Sequence, residues 1–271
     1  MQARTSGIHN LHPEIFYEQI EDLKKIGMDS SSLLEICLAQ SVIINTLGGE
    51  FWAKECTTFG QKQDFFANKG DARIIHLAHM LWSLKDQDGF AEFLVKNSKD
   101  DFEPTYYEVT AAHWFLKNSE SIRFVIPVSV KESDFDIEVR KFFPYGCLNV
   151  EVKARKSFST EKQIVDRLKQ ARKQLPKDGN GVVFCKIELS ELLTQEKLIR
   201  ASQDFLRTTN RIVFIIYCWD SWNFLQEGIA LAYMAVDRNG VMHSIFGEPS
   251  IPLRPKFFVD AIEWSQKLEN I

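Results

Sequence analysis

Three features that are absent from this sequence exclude several classes of protein. Its 271 residues hold five cysteines, an odd number without a Cys-x-x-Cys pair, so neither a disulfide framework nor a cysteine zinc motif is indicated. The N-terminus lacks the basic-then-apolar order of a signal peptide. The longest apolar stretch, residues 33–47, is interrupted by Glu35, Gln40 and Asn45, which makes it too short and too polar to span a bilayer. We therefore expect a soluble, cytoplasmic protein with no membrane partner.

Several catalytic motifs are also missing from the sequence. It contains no Gly-rich phosphate loop, no Gly-x-Ser-x-Gly elbow and no His-Glu-x-x-His, which argues against a P-loop NTPase, an α/β-hydrolase and a zinc protease. The formal net charge of −4 gives no overall attraction for nucleic acid. Any nucleic-acid partner must therefore be bound by a local basic surface.

Hydrophobic patterning predicts two regions in the chain. Residues 1–100 have helical spacing, with helices expected at 33–47, 71–84 and 90–95, the first one stopped by Gly48 and Gly49. The polar, acidic segment 97–104 is the predicted boundary. Residues 101–271 alternate helices and strands, which predicts an α/β fold with a central mixed β-sheet flanked by helices. The expected elements are helix 105–117, strands 122–130, 135–139 and 147–153, helix 161–175, strand 181–187, helix 191–206, strand 211–219, hairpin 229–236 with 241–246, and helix 256–268.

Two neighbouring predicted strands carry the most suggestive polar residues. Side chains at positions i and i+2 of a strand share a face, so Glu151 and Lys153 point the same way in Val150-Glu151-Val152-Lys153. In Ser133-Asp134-Phe135-Asp136-Ile137 the two aspartates share a face as well. Paired strands would bring these acids and the lysine together at one edge of the sheet. Carboxylates are the oxygen ligands that Mg²⁺ accepts, and a bound metal ion acidifies water for phosphodiester hydrolysis.

This arrangement resembles the PD-(D/E)xK nuclease superfamily, whose signature is an acid at the start of one strand and Glu-x-Lys on the next. Here the acid is Asp136 or Asp134, and Glu-x-Lys is Glu151-Val152-Lys153. Glu108 stands where many members place a glutamate on the preceding helix. The resemblance covers about residues 103–220, and the αβββαβ core of the superfamily matches the predicted order of elements.

The resemblance implies a nuclease that depends on Mg²⁺ or Mn²⁺ and acts on DNA, and it is compatible with a homodimer. Glu108, Asp134, Asp136 and Glu151 would bind metal, and Asp136, Glu151 and Lys153 would be catalytic. The proline that usually precedes the aspartate is absent, because Ser133 and Phe135 occupy the two candidate positions. Asp136 is favoured since Asp-Ile-Glu-Val gives an acid followed by a strand, and Asp134 is the alternative.

The predicted helix after Glu151-Val152-Lys153 is strongly basic. Residues 153–177 hold nine Lys or Arg against two acids, a local charge of about +7 in an acidic protein. A basic segment beside a metal site is what phosphate binding requires. Some branches of the superfamily place a glutamine near the site here, which suggests Gln170 or Gln174. The predicted nucleic-acid-binding residues are Arg155, Lys156, Lys162, Arg167, Lys169, Gln170, Arg172, Lys173 and Gln174.

Two other hypotheses use the same residues. The first is a nuclease-like fold without catalysis, which serves only as a nucleic-acid-binding or assembly protein. The second is RNA, in place of DNA, as the substrate. Acids and lysines on a strand edge are also common on ordinary solvated faces.

Overall fold

The structure, a computed structural model, describes most of the chain between residues 20 and 242. The described residues are 20–23, 25–27, 31–56, 67–97, 101–126, 134–154, 160–177, 179–188, 193–223, 228–242 and 259–260. The predicted elements 241–246 and 256–268 therefore lie largely outside them, as does the end of the predicted strand 122–130. None of the helices within these ranges combines the length and apolar character that crossing a bilayer requires.

A six-stranded mixed sheet forms the centre of the protein. Its strands follow chain order: β1 (Ser121–Phe124), β2 (Ile137–Phe142), β3 (Gly146–Lys153), β4 (Gly181–Lys186), β5 (Ile212–Asn223) and β6 (Gly228–Val236). The first three strands form an antiparallel meander, β3, β4 and β5 are parallel, and β6 is antiparallel to β5. The predicted α/β class with a mixed central sheet is confirmed.

Six helices of eight or more residues occur among the described residues. They are α1 (Ser31–Leu47), α2 (Ala67–Leu84), α3 (Phe90–Asn97), α4 (Phe102–Asn118), α5 (Glu161–Gln174) and α6 (Gln195–Leu206). A helical turn, Gly49–Phe51, and a π-helical stretch, Trp52–Cys56, follow α1. The series α4, β1, β2, β3, α5, β4 reproduces the predicted order of one helix, three strands, one helix and one strand.

The two faces of the sheet are covered by different helices. One apolar cluster joins residues of α1 to α4 with alternate strand residues such as Val150, Val152 and Phe184. A second cluster joins α5 and α6 with the intervening residues, including Val183 and Cys185. Central parallel strands are therefore apolar on both faces, as expected for a sheet covered on both sides. The first cluster runs across residue 100, and the division into two domains stays a prediction.

Local sequence signals explain several element boundaries. Gly48 adopts φ 96°, a left-handed conformation, and ends α1 where a glycine stop was predicted. The Thr160 side chain caps α5 by accepting a hydrogen bond of 3.3 Å from the Gln163 amide. Helix α4 begins at Phe102, three residues earlier than predicted, because Pro104 falls in its first turn, where a missing amide hydrogen costs nothing.

One strand prediction needs correction, and another is described only in part. Strand β2 spans Ile137–Phe142 instead of 135–139, so Asp136 lies just before the strand and not within it. Strand β6 pairs along its whole length with β5. Val241 bridges Val236 in antiparallel orientation, and the Met242 amide donates to the Ala235 carbonyl at 2.9 Å, as the start of the predicted hairpin requires. The rest of its second strand, 243–246, lies outside the described residues.

Candidate functional site

The predicted acids meet where β2 separates from β3. The Asp136 amide donates to the Val150 carbonyl at 3.0 Å, which continues the β2–β3 ladder by one residue. The next hydrogen bond on β3 is made by a side chain in place of the β2 backbone: Oδ2 of Asp136 accepts from the Val152 amide at 2.8 Å. A side chain therefore satisfies a strand amide that β2 no longer reaches. This bond fixes the carboxylate of Asp136 directly beside β3.

Glu151 is the most buried acid of this region, with only 2% of its surface exposed. One carboxylate oxygen, Oε1, accepts from the ammonium of Lys153. Among the described residues, nothing donates a hydrogen bond to the other oxygen, Oε2. Burial raises the pKa of Glu151 well above its ordinary value, and the nearby Asp136 and Glu108 carboxylates raise it further against the opposing effect of Lys153. The protein thus keeps an acid in a setting that disfavours its charge.

Lys153 and Gln174 connect β3 to α5. The Lys153 ammonium donates to Oε1 of Gln174 at 2.6 Å as well as to Glu151. The Gln174 amide nitrogen lies 3.5 Å from the carbonyl oxygen of Asp134. Gln174 is therefore the glutamine of α5 that contacts Lys153 and the main chain of Asp134, whereas Gln170 bonds to Arg167. The contact with Gln174 holds the Lys153 ammonium in place.

A second lysine enters the site from α3. Lys96 Nζ lies 3.6 Å from Glu108 Oε2 and 3.7 Å from Asp136 Oδ1, and thereby links the helix glutamate to the strand aspartate. The side-chain amide of Asn97 also donates to Glu108 Oε2, at 3.2 Å. Burial raises the pKa of Asp136, although Lys96, the Val152 amide and Lys153 each oppose that increase. Sequence reasoning missed Lys96, since no spacing rule relates it to the acids.

Together these residues line one open cleft of about 370 Å³. Its walls hold four acids and three bases, a formal charge of −1 when all are ionised. The lining residues are Lys96, Pro104, Glu108, Asp134, Asp136, Glu151, Val152, Lys153, Ala154, Arg167 and Gln174. The structure therefore gathers all four predicted metal ligands and the predicted lysine into one place.

The predicted nucleic-acid-binding residues of α5 divide between two faces of the helix. Arg167 and Gln174 line the cleft, and Gln170 accepts a 2.8 Å hydrogen bond from Arg167. Lys162 and Lys169 line a separate groove beside α6.

The four remaining residues of the predicted nucleic-acid-binding set do not line the cleft or lie outside the described part of the chain. Arg172 packs its guanidinium 5.8 Å from the centre of the Phe205 ring on α6, and Lys173 is exposed. Arg155 and Lys156 lie outside the described residues. The helix therefore presents a narrower basic surface to the cleft than the charge count predicts, because a helix turns its residues to all sides.

The donor set fits a hard divalent cation such as Mg²⁺ or Mn²⁺. Glu108, Asp136 and Glu151 offer carboxylate oxygens, and the buried Oε2 of Glu151 has no donor within the described part of the chain. Within the described ranges, no group of three or more His, Cys, Asp or Glu side chains stands where it could hold a metal ion without rearrangement. Mg²⁺ keeps several of its waters and needs only one or two protein carboxylates, so an open arrangement suffices.

Comparisons of this chain with protein-family models, with curated proteins and with solved structures find no match. The resemblance to PD-(D/E)xK nucleases therefore depends on the motif and on the order of elements. The geometry and chemistry of the cleft supply the remaining support for a function.

Proposed function

We propose that the protein is a metal-dependent nuclease that hydrolyses phosphodiester bonds of DNA. The observation that carries this proposal is Glu151, a buried carboxylate whose Oε2 accepts no hydrogen bond from any described residue and which faces a cleft shared with Asp136 and Lys153. Burying an acid without full pairing costs free energy. Proteins keep such groups chiefly at functional sites.

Each residue of the cleft has a role that its position supports. Glu108, Asp136 and Glu151 would hold one Mg²⁺ or Mn²⁺ ion, with Asp134 beside them. When bound, the ion supplies charge stabilisation at the phosphate and a more acidic water. Lys153, held by Glu151 and Gln174, is placed to orient that water and to stabilise negative charge with its ammonium.

The basic side of the cleft would bind the phosphate. Arg167 lines the cleft from α5 and carries a planar guanidinium, which suits bidentate contacts to phosphate. Gln170 accepts from Arg167 and fixes its direction. The scissile phosphate would then lie between the acids of the strand edge and the arginine of α5.

A specific observation favours a second candidate function, a nuclease-like fold that binds nucleic acid without cutting it. Both lysines of the cleft are engaged by its acids, Lys153 by Glu151 and Lys96 by Glu108 and Asp136. A cleft whose lysines are paired with its own acids in this way could bind nucleic acid without cutting it. Cleavage measurements separate the two functions.

The test is a cleavage assay on plasmid DNA, single-stranded DNA and RNA with Mg²⁺ or Mn²⁺. We expect DNA to be cut, and Glu151→Gln and Lys153→Met to lower the rate by roughly 10²- to 10⁴-fold. The matched control is Glu196→Gln, an exposed glutamate in the first turn of α6, which should cleave as the wild type does.

Two results would contradict the proposal. Cleavage that is unchanged in both cleft variants would remove these residues from the active site. Absence of cleavage on every substrate, together with absence of metal binding by calorimetry, would favour the binding protein. Preferential cutting of RNA would leave the chemistry in place and change the substrate.

A further inference from the structure

Lys96 differs from Lys153 in how it is held. Lys153 is 17% exposed and donates hydrogen bonds to two partners, Glu151 and Gln174. Lys96 is 36% exposed, and its distances of 3.6 Å and 3.7 Å to Glu108 and Asp136 exceed those of charge-assisted hydrogen bonds. Lys96 is therefore a counter-ion shared by two acids, placed at the open side of the cleft.

The two acids that share Lys96 are also two of the residues proposed to hold the metal ion. A divalent cation bound by Glu108 and Asp136 would compete with the ammonium for the same oxygens, since like charges at this separation repel. The ammonium can move away from the acids toward solvent, because the Lys96 side chain is already 36% exposed and is a flexible four-carbon stem.

The net charge of the cleft indicates that the released ammonium would serve to neutralise a phosphate. The four acids and three bases that line the cleft sum to −1 when ionised, and one bound divalent cation raises this net charge to +1. One phosphodiester group, with a charge of −1, then makes the loaded cleft neutral. Without Lys96 the loaded cleft would already be neutral before DNA arrives, and the phosphate would leave an excess negative charge.

We propose that Lys96 is an exchangeable counter-ion, which neutralises Glu108 and Asp136 in the metal-free protein and contacts the substrate phosphate once the metal ion is bound. This inference rests on the proposed function and extends it to the helical part of the chain. Helix α3 packs near β1 and delivers its last-turn lysine to acids on α4 and before β2. The helices that precede residue 100 would thereby supply a phosphate-binding residue to the active site.

The test compares metal affinity with substrate affinity in Lys96→Met, which keeps the length and apolar character of the stem. Titration calorimetry with Mg²⁺ or Mn²⁺ alone should show binding tighter than wild type by on the order of tenfold, since a competing charge is gone. Initial cleavage rates should show a KM for DNA raised by roughly tenfold, with a smaller change in kcat. A residue with only a structural role would weaken both.

Two further variants keep this test decisive. Lys96→Arg retains the charge and should restore the wild-type metal affinity and KM. Lys197→Met, an exposed lysine of α6, should match the wild type in both measurements.

The outcomes distinguish this inference from the proposed function. A wild-type protein that binds metal, with Lys96→Met unchanged in metal affinity or in KM, would overturn the role of Lys96 alone. A wild-type protein that binds no divalent cation would overturn the metal-dependent function and this inference with it.

Discussion

Two partly buried glutamates lie five residues apart on α4, and their charges are neutralised in different ways. Glu103, in the first turn, accepts from Arg73 at 2.6 Å and from Lys186 at 2.7 Å, so two cations serve one carboxylate. Glu108, about one and a half turns later, shares the ammonium of Lys96 with Asp136. Glu103 thus has two cations for one acid, whereas the residues that line the cleft include three bases for four acids.

The pKa values follow this difference. Burial alone would raise the pKa of Glu103, but Arg73 and Lys186 outweigh it and lower that pKa below its ordinary value. Burial raises the pKa of Glu151, and a second acid, Asp136, adds to the increase. A half-buried acid with its cations supplied, such as Glu103, is typical of a structural ion pair. A buried acid short of cations, such as Glu151, is the basis of the proposed metal site.

The largest effect on stability is expected at the Glu103 ion pair. Arg73 is 3% exposed and also stacks 4.3 Å from the centre of the Tyr106 ring. We expect Arg73→Met to lower the free energy of unfolding by about 2–3 kcal/mol, because a charge-assisted hydrogen bond and a cation–π contact are lost. Urea denaturation measures the change. The control is Arg200→Met on the exposed side of α6, and a loss no larger than in this control would mean that the ion pair is not structural.

A smaller effect, opposite in sign, is expected at the cleft. The folded metal-free protein holds the Glu151 proton more tightly than the unfolded chain does, so its stability falls as pH rises above about 4.5. Glu151→Gln removes this titration. At neutral pH and without metal, the variant should therefore be more stable than the wild type, on the order of 1 kcal/mol, and the difference should shrink toward pH 4. A difference that is constant with pH would contradict the charge-deficient cleft.

The matched substitution Glu103→Gln should show the reverse dependence on pH. The pKa of Glu103 is lowered on folding, so its contribution to stability is present above the ordinary pKa and disappears as the pH falls through the folded-state pKa. Glu103→Gln should therefore destabilise the protein at neutral pH and become harmless in acid. Thermal unfolding of both variants from about pH 2.5 to 8 covers both transitions and compares the two slopes directly. Parallel slopes would remove the distinction between the two groups.

Much of the site's framework could be predicted because it depends on local periodicity. Strand parity placed Glu151 and Lys153 on one face, opposite Val150 and Val152, and the apolar cluster under α1 to α4 contains both valines. The order of helices and strands followed from the same patterns, with β2 displaced by two residues. That displacement decides the setting of Asp136, whose carboxylate bonds to β3 because β2 has not yet begun.

The remaining features depend on packing that no short-range pattern reports. Lys96 reaches the acids only because α3 lies against β1 and its last turn faces the cleft. The charge count of α5 could not distinguish Arg167, which lines the cleft, from Arg172, which packs on Phe205. Both distinctions come from the positions of neighbouring helices, and these are set by tertiary contacts.

Titration calorimetry with Mg²⁺ or Mn²⁺ on the wild type, Glu151→Gln and Glu103→Gln tests the central claim most directly. The charge-deficient cleft predicts that the wild type binds a divalent cation, that Glu151→Gln loses roughly tenfold or more of that affinity, and that Glu103→Gln retains it. Equal binding by the wild type and Glu151→Gln, or no binding by any of the three proteins, would contradict a metal site in this cleft.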